Sequence, residues 1–139
     1  MAQTVRQVMT APPVEVSPQA SVVEVARRMR DEDIGAVVVA EDGRLRGLVT
    51  DRDLTVRVLA EGGDVTDRRV QEACSAEVVT VSPDDPVDRA VELMRSKAVR
   101  RLPVVDRDRV VGIVSLGDLA VERDPDSALG DISLADPNA

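Results

Sequence analysis

The chain has 139 residues, with 26 acids against 18 bases and a net charge of −8. It contains no histidine, no aromatic residue and a single cysteine, Cys74. These counts argue against a basic nucleic-acid surface, against base stacking on aromatic platforms and against histidine-based catalysis or metal binding, and they rule out an internal disulfide.

Taken in chain order, Thr4-Val5-Arg6-Gln7 predicts a capped short helix ending near Thr10, which Ala11-Pro12-Pro13 breaks. Val14-Glu15-Val16 predicts a short strand, turned by Ser17-Pro18. Ser21 to Glu24 is a second capping box. It launches a helix with Val22, Val25, Ala26 and Met29 on one face. The apolar run 34–40 predicts a buried strand. Glu41-Asp42-Gly43-Arg44 turns it into a second strand over 45–49. Thr50-Asp51-Arg52-Asp53 starts a helix running to about Ala60.

The order then repeats. A short helix is expected around 67–74, a strand over 78–81, a helix over 86–96 capped by Asp85 with Pro86 at its first position, strands over 99–105 and 110–114, and a helix from Ser115. Sliding the chain by 65 residues lays Val5–Thr55 over Val70–Ala120 without a gap, and 15 of the 51 pairs are identical. A fixed period of this kind marks one supersecondary unit built to pack on its twin. One copy alone is marginally small for a stable core, whereas a pair can share one. The expected organisation is copy one over 4–60, a linker and start of the leading helix over 61–69, copy two over 70–123, and a partly disordered acidic tail over 124–139.

The β-α-β-β-α order, with Gly47-Leu48-Val49-Thr50-Asp51-Arg52-Asp53-Leu54 matched by Gly112-Ile113-Val114-Ser115-Leu116-Gly117-Asp118-Leu119, resembles the CBS domain, named for cystathionine β-synthase. The stretch Val99-Arg100-Arg101-Leu102-Pro103-Val104-Val105 fits the same family's motif before its last strand. The resemblance implies an α+β fold of two pseudo-symmetric CBS repeats packed as one pair, a Bateman module. It implies an adenosyl ligand: AMP, ADP, ATP, S-adenosylmethionine or an NAD-type nucleotide. It places Asp53 and Asp118 on ribose hydroxyls, and Thr50, Ser115, Arg100 and Arg101, before Pro103, at phosphate. The backbones of Thr10-Ala11 and Ala36-Val37, with Ser75-Ala76 and Arg101-Leu102 as their equivalents, flank the base.

Each part also has a plainer reading. Thr50 with Asp53 and Ser115 with Asp118 can serve only as helix caps. Arg100 and Arg101 can be surface ion-pair partners. Gly47 and Gly112 mark close approach of helix and sheet. Cys74, in the slot of Met9, reads as a small buried hydrophobe. The two candidate sites are unequal, because copy one has Gly35-Ala36 and Val38 where copy two has Arg100-Arg101 and Pro103. Which hydroxyl–carboxylate pair faces the arginines stays open at this level.

The expected function is a ligand-sensing regulatory module acting on a separate effector protein. The alternative is a structural CBS-pair homodimer without a small-molecule ligand. In either case the helices over 22–30, 54–60 and 86–96 supply a homodimer surface. No required cofactor, catalytic centre or metal site is expected, and the adenosyl ligand would be regulatory. With no signal peptide, lipidation motif or 18-residue apolar run, the expected location is the cytoplasm, with no membrane or nucleic-acid partner.

Overall fold

The computed structural model describes residues 3–75, 78–123 and 132. The tail expected over 124–139 therefore lies outside the described residues except for Ile132, and so does Ala76. The chain divides into two compact units. One is Val14–Val78, and the other joins the residues up to Pro13 with those from Val79 onward. The cut does not follow the sequence period. Each unit holds the body of one copy and the leading segment of the other.

In the first-copy unit the sheet has three strands, β1 (Glu15–Val16), β2 (Ala36–Glu41) and β3 (Arg44–Thr50). β1 runs parallel to β2, which a crossover helix α2 (Val22–Glu32) makes possible, and β2 runs antiparallel to β3. Ser21 caps α2, its hydroxyl accepting from the Glu24 N–H at 3.1 Å. The β2–β3 turn places Asp42 and Gly43 at φ 55° and 80°, the two left-handed residues of a tight hairpin. α3 (Asp51–Arg57) ends at Val58 and is followed by a 3-10 turn, Leu59–Glu61, so the helix expected to Ala60 is shorter.

The leading segment of copy two closes this unit. Its expected helix is a 3-10 turn, Val70–Glu72, whose Val70 and the following Ala73 are fully buried in the core with Val25, Val37, Val39 and Val49. The Arg69 N–H and the Arg68 guanidinium both bond the Glu72 carboxylate, at 2.7 Å each, and hold its pKa below the usual range.

In the second-copy unit, β4 (Arg101–Asp106) and β5 (Arg109–Ser115) form a two-stranded antiparallel hairpin, flanked by α4 (Val87–Lys97) and α5 (Leu116–Arg123). The third strand expected over 78–81 is reduced to one parallel bridge, Val81 to Val104. The reason is Pro103. In the first-copy unit the Val38 N–H bonds the Val14 carbonyl at 2.9 Å. Pro103 occupies the position of Val38 and has no N–H to give, so the ladder shortens.

α4 also begins one residue later than expected. Pro86 is extended (φ −68°, ψ 151°) and takes the N-cap, bridging Thr4 instead of entering the helix. The Asp85 carboxylate accepts from the Ser82 N–H at 2.9 Å, closing the preceding turn and not capping the helix. The core of this unit includes Leu102, Val104, Val114, Ala90 and Val5. Val5 comes from α1 (Val5–Val8), the leading helix of copy one, which stops two residues short of Thr10.

Candidate ligand-binding site

Gly112 shows how the leading segment is seated. A Cβ there would lie 2.6 Å from Met9 Sδ and 2.9 Å from the Thr10 carbonyl oxygen. At Gly47 a Cβ would lie 2.7 Å from the Ser75 carbonyl oxygen and 2.9 Å from Cys74 Sγ. Both glycines thus let the end of a leading turn lie flat on the hairpin. Met9 and Cys74 occupy equivalent slots, as their alignment implies. Cys74 is half-buried, and desolvation raises its thiol pKa, a shift that nearby Asp53 reinforces and Arg57 opposes.

Side chains alternate across each hairpin. Leu102, Val104 and Val114 point into one core, so Arg101, Pro103 and Ser115 lie on the other face. Arg101 is the cross-strand partner of Ser115, and Thr10 is bridged to Ile113 on the other edge of β5. The second-copy unit therefore gathers Thr10, Ala11, Arg101, Pro103, Ser115 and Asp118. Pro103 is buried, while Thr10 and Ala11 are exposed.

The first-copy unit gathers Ala36, Val37, Thr50, Asp53 and Ser75. Ala36 is the partner of Thr50, and the Ser75 N–H bonds the Leu48 carbonyl at 3.2 Å. Val37 is 1% exposed within the core, so it offers backbone alone. The question of which pair meets Arg101 has a direct answer in the ladder: it is Ser115 with Asp118.

Arg100 does not join that group. It precedes β4, is exposed, and lines an apolar groove between α4 and α5 together with Arg95. The two arginines are neighbours in sequence but serve different surfaces. Among the described residues neither carries an ion pair.

Both hydroxyl–carboxylate pairs form reciprocal caps. The Thr50 N–H donates to Asp53 Oδ2 at 2.9 Å and the Asp53 N–H to Thr50 Oγ1 at 3.1 Å. Ser115 and Asp118 repeat the arrangement at 2.9 and 3.1 Å. Capping commits only one carboxylate oxygen in each pair, and each hydroxyl keeps its proton to donate.

The remaining atoms differ between the units. Asp53 Oδ1 lies 3.7 Å from Arg57 Nε, while Asp118 Oδ1 has no partner among the described residues. At the start of α3 all three leading N–H groups are taken: Asp51 bonds the Gly35 carbonyl, Arg52 bonds the Asp51 carboxylate at 2.8 Å, and Asp53 bonds Thr50. At the start of α5, Leu116 bonds the Arg100 carbonyl and Asp118 bonds Ser115, whereas the Gly117 N–H has no acceptor among the described residues. One helix start is closed by an acid; the other keeps an open donor two residues after Ser115, the cross-strand partner of Arg101.

Comparison with known proteins places these repeats. The CBS domain family model matches the chain twice, over residues 5–60 and 70–123. The chain belongs to the CBS domain family. This CBS chain is 39% identical over 127 residues to the CBS domain-containing protein YhcV of Bacillus subtilis, covering 91% of this chain and 90% of that one. It is 33% identical to Hypoxic response protein 1 of Mycobacterium tuberculosis, over 84% of this chain and 82% of the other.

Among solved structures, CBS domain protein PAE2072 from Pyrobaculum aerophilum, complexed with AMP, superposes with a TM-score of 0.78 at 29% identity. That match covers 87% of this chain and 93% of the other. The CBS domain pair of protein MJ0100, in complex with 5′-methylthioadenosine and S-adenosyl-L-methionine, gives 0.77 at 25% identity, covering 86% and 94%. Both neighbours thus carry adenosyl ligands. Among the described residues no helix is long and apolar enough to cross a membrane.

Proposed function

We propose that the protein is a ligand-sensing regulatory module and not an enzyme, and that its second-copy unit takes a phosphorylated adenosyl ligand such as AMP, ADP or ATP. The observation that carries this reading is the asymmetry of the two helix starts. Arg101 without an acid, the Ser115 hydroxyl and the open Gly117 N–H lie together, a donor set suited to an anion. The unpaired oxygen of Asp118 supplies an acceptor for ribose hydroxyls, and the Thr10-Ala11 backbone runs along the neighbouring edge. The first-copy unit has Ala36 in place of Arg101 and the Asp51 carboxylate in place of an open donor. It therefore suits an adenosyl group without phosphate, such as that of S-adenosylmethionine, or stays empty.

Binding would act by biasing conformations with different affinity for a separate effector protein. Titration calorimetry with AMP, ATP and S-adenosylmethionine tests the reading. The expected result is one phosphorylated ligand per chain, weakened at least tenfold by Arg101→Ala and unaffected by Ala36→Ser. Equal binding of ATP by wild type and Arg101→Ala would refute it.

Self-association through the helices is part of the same reading. The groove between α2 and the end of α3 carries Leu59 at 59% exposure, with Val22, Leu54 and Val58 beneath. Of its two arginines, Arg30 is ion-paired to Asp31 at 2.9 Å, while Arg27 has no ion pair among the described residues. Sedimentation of Leu59→Asp at micromolar concentration is expected to give a monomer where the wild type gives a dimer.

A further inference from the structure

Arg68 joins three elements of the first-copy unit. Its guanidinium bonds Glu61 at 3.1 Å and Glu72 at 2.7 Å, and its carbonyl accepts from the Val22 N–H at 3.0 Å. Glu61 ends the 3-10 turn that follows α3, Glu72 ends the leading turn of copy two, and Val22 opens α2. The Arg68 side chain is 23% exposed, against 59% for Glu61 and 40% for Glu72, so it is the sheltered centre of a three-charge network. The other Glu72 oxygen accepts from the Arg69 N–H at 2.7 Å, which fixes that carboxylate on the turn itself.

A second link lies toward the other end of α3. Asp53 and Arg57 are both close enough to Cys74 to act on its thiol, and the Ser75 N–H bonds Leu48 on β3, the strand that leads into α3. The leading segment of copy two therefore runs along α3 in the opposite direction, with Arg68 beside Glu61 and Cys74 beside Asp53 and Arg57. Thr50, Asp53 and Ser75, the first-copy part of the proposed ligand site, stand at one end of this contact. The Glu61–Arg68–Glu72 network closes the other.

Among the described residues the leading segment of copy one has no such network. Arg68 and Glu72 fall on Gln3 and Gln7 in the repeat. Gln7 also closes its turn, its Oε1 accepting from the Thr4 N–H at 2.9 Å, but a neutral amide has no charge for an arginine to pair with. Between Glu61 and Arg68 the chain passes through Gly62 and Gly63, at φ 77° and 82° with open space around both. The Glu61–Arg68 pair, together with Val65 against the core, ties this stretch down.

We infer that Arg68 is a positioning residue of the first-copy ligand site, holding the leading segment against α3 so that the Ser75 backbone and the Asp53 carboxylate stay in register for an adenosyl group. The inference rests on the reading that the first-copy unit takes such a group without phosphate. Part-exposed ion pairs shift an equilibrium only a few-fold, so the effect is about threefold.

Asp118→Asn weakens the second-copy site, so titration calorimetry of S-adenosylmethionine into that variant reads the first-copy site. Adding Arg68→Gln should weaken this binding about threefold, and adding Arg68→Lys, which keeps the charge, should weaken it less. ATP binding at the second-copy site, measured with Asp118 intact, should be the same with and without Arg68→Gln. Equal S-adenosylmethionine affinity with and without Arg68→Gln overturns the inference even where the melting temperature falls, because the network then only stabilises the fold. An equal loss of ATP affinity overturns it too, because the whole chain has then loosened. So does an absence of S-adenosylmethionine binding to Asp118→Asn, which leaves no site to position. Loss of S-adenosylmethionine affinity through Arg68→Gln in a chain whose wild type binds no ATP supports the inference and refutes the phosphate reading of the second-copy unit.

Discussion

Thr10 and Ile113 bond each other in both directions, Thr10 N–H to the Ile113 carbonyl at 2.8 Å and Ile113 N–H to the Thr10 carbonyl at 3.0 Å. One residue belongs to the first sequence copy and the other to the second. The leading segments are thus exchanged, and each hairpin is completed by a segment from the other copy.

The exchange predicts where the chain can be cut. Residues 14–78 keep Val70 and Ala73, both fully buried in the first-copy core. Residues 4–60 lose them and expose the face they cover. Circular dichroism melts should show a cooperative transition for 14–78 and none for 4–60. A 4–60 fragment that melts as cooperatively as 14–78 contradicts the exchange as an energetic feature.

Gly112→Ala should destabilise by about 1–3 kcal/mol, because its Cβ would overlap Met9 Sδ and the Thr10 carbonyl oxygen. Adding Met9→Ala removes the sulfur but not the backbone oxygen, so it should relieve the overlap only in part. Chemical denaturation of the single and double variants measures this. Full additivity would show that the two positions do not press on each other.

Asp118 caps α5, and the proposed function gives it a second role that can be separated from the first. Asp118→Ala removes the cap and should cost about 1 kcal/mol whether or not a ligand is present. Asp118→Asn keeps a neutral acceptor for the Ser115 N–H while removing the charge. It should melt near wild type and bind the adenosyl ligand at least tenfold more weakly. Unchanged affinity in Asp118→Asn would leave capping as the residue's whole role.

Cys74 gives a pH signature. Burial raises its thiol pKa in the folded chain, so folding favours the protonated form. That contribution is complete below the unfolded thiol value of about 8.5 and is lost as pH rises through the higher folded value. Melting curves of wild type and Cys74→Ala should therefore converge or cross above about pH 8.5. Curves that stay parallel from pH 7 to 10 would argue against it.

How much was legible can be read from particular residues. The reciprocal caps at Thr50/Asp53 and Ser115/Asp118, the left-handed turn at Asp42-Gly43 and the apolar stripe of α2 were all readable, since each depends on neighbours within about four positions. The slot shared by Met9 and Cys74 was readable from the period. The Pro86 N-cap was misplaced because its bridge to Thr4, distant in sequence, holds it extended.

The sequence by itself determined two copies of one CBS unit, their element order and the hydroxyl–carboxylate caps of α3 and α5, because local hydrogen bonding and hydrophobic period encode these. Only the tertiary structure decided which segments complete which hairpin, that Pro103 shortens one ladder, and that Arg101 stands beside Ser115 while Arg100 turns to the α4/α5 groove. The physical reason is the same each time. These outcomes depend on a partner brought close by packing: the Val79–Val81 segment for Pro103, the second strand of the hairpin for Arg101, and two helices for Arg100.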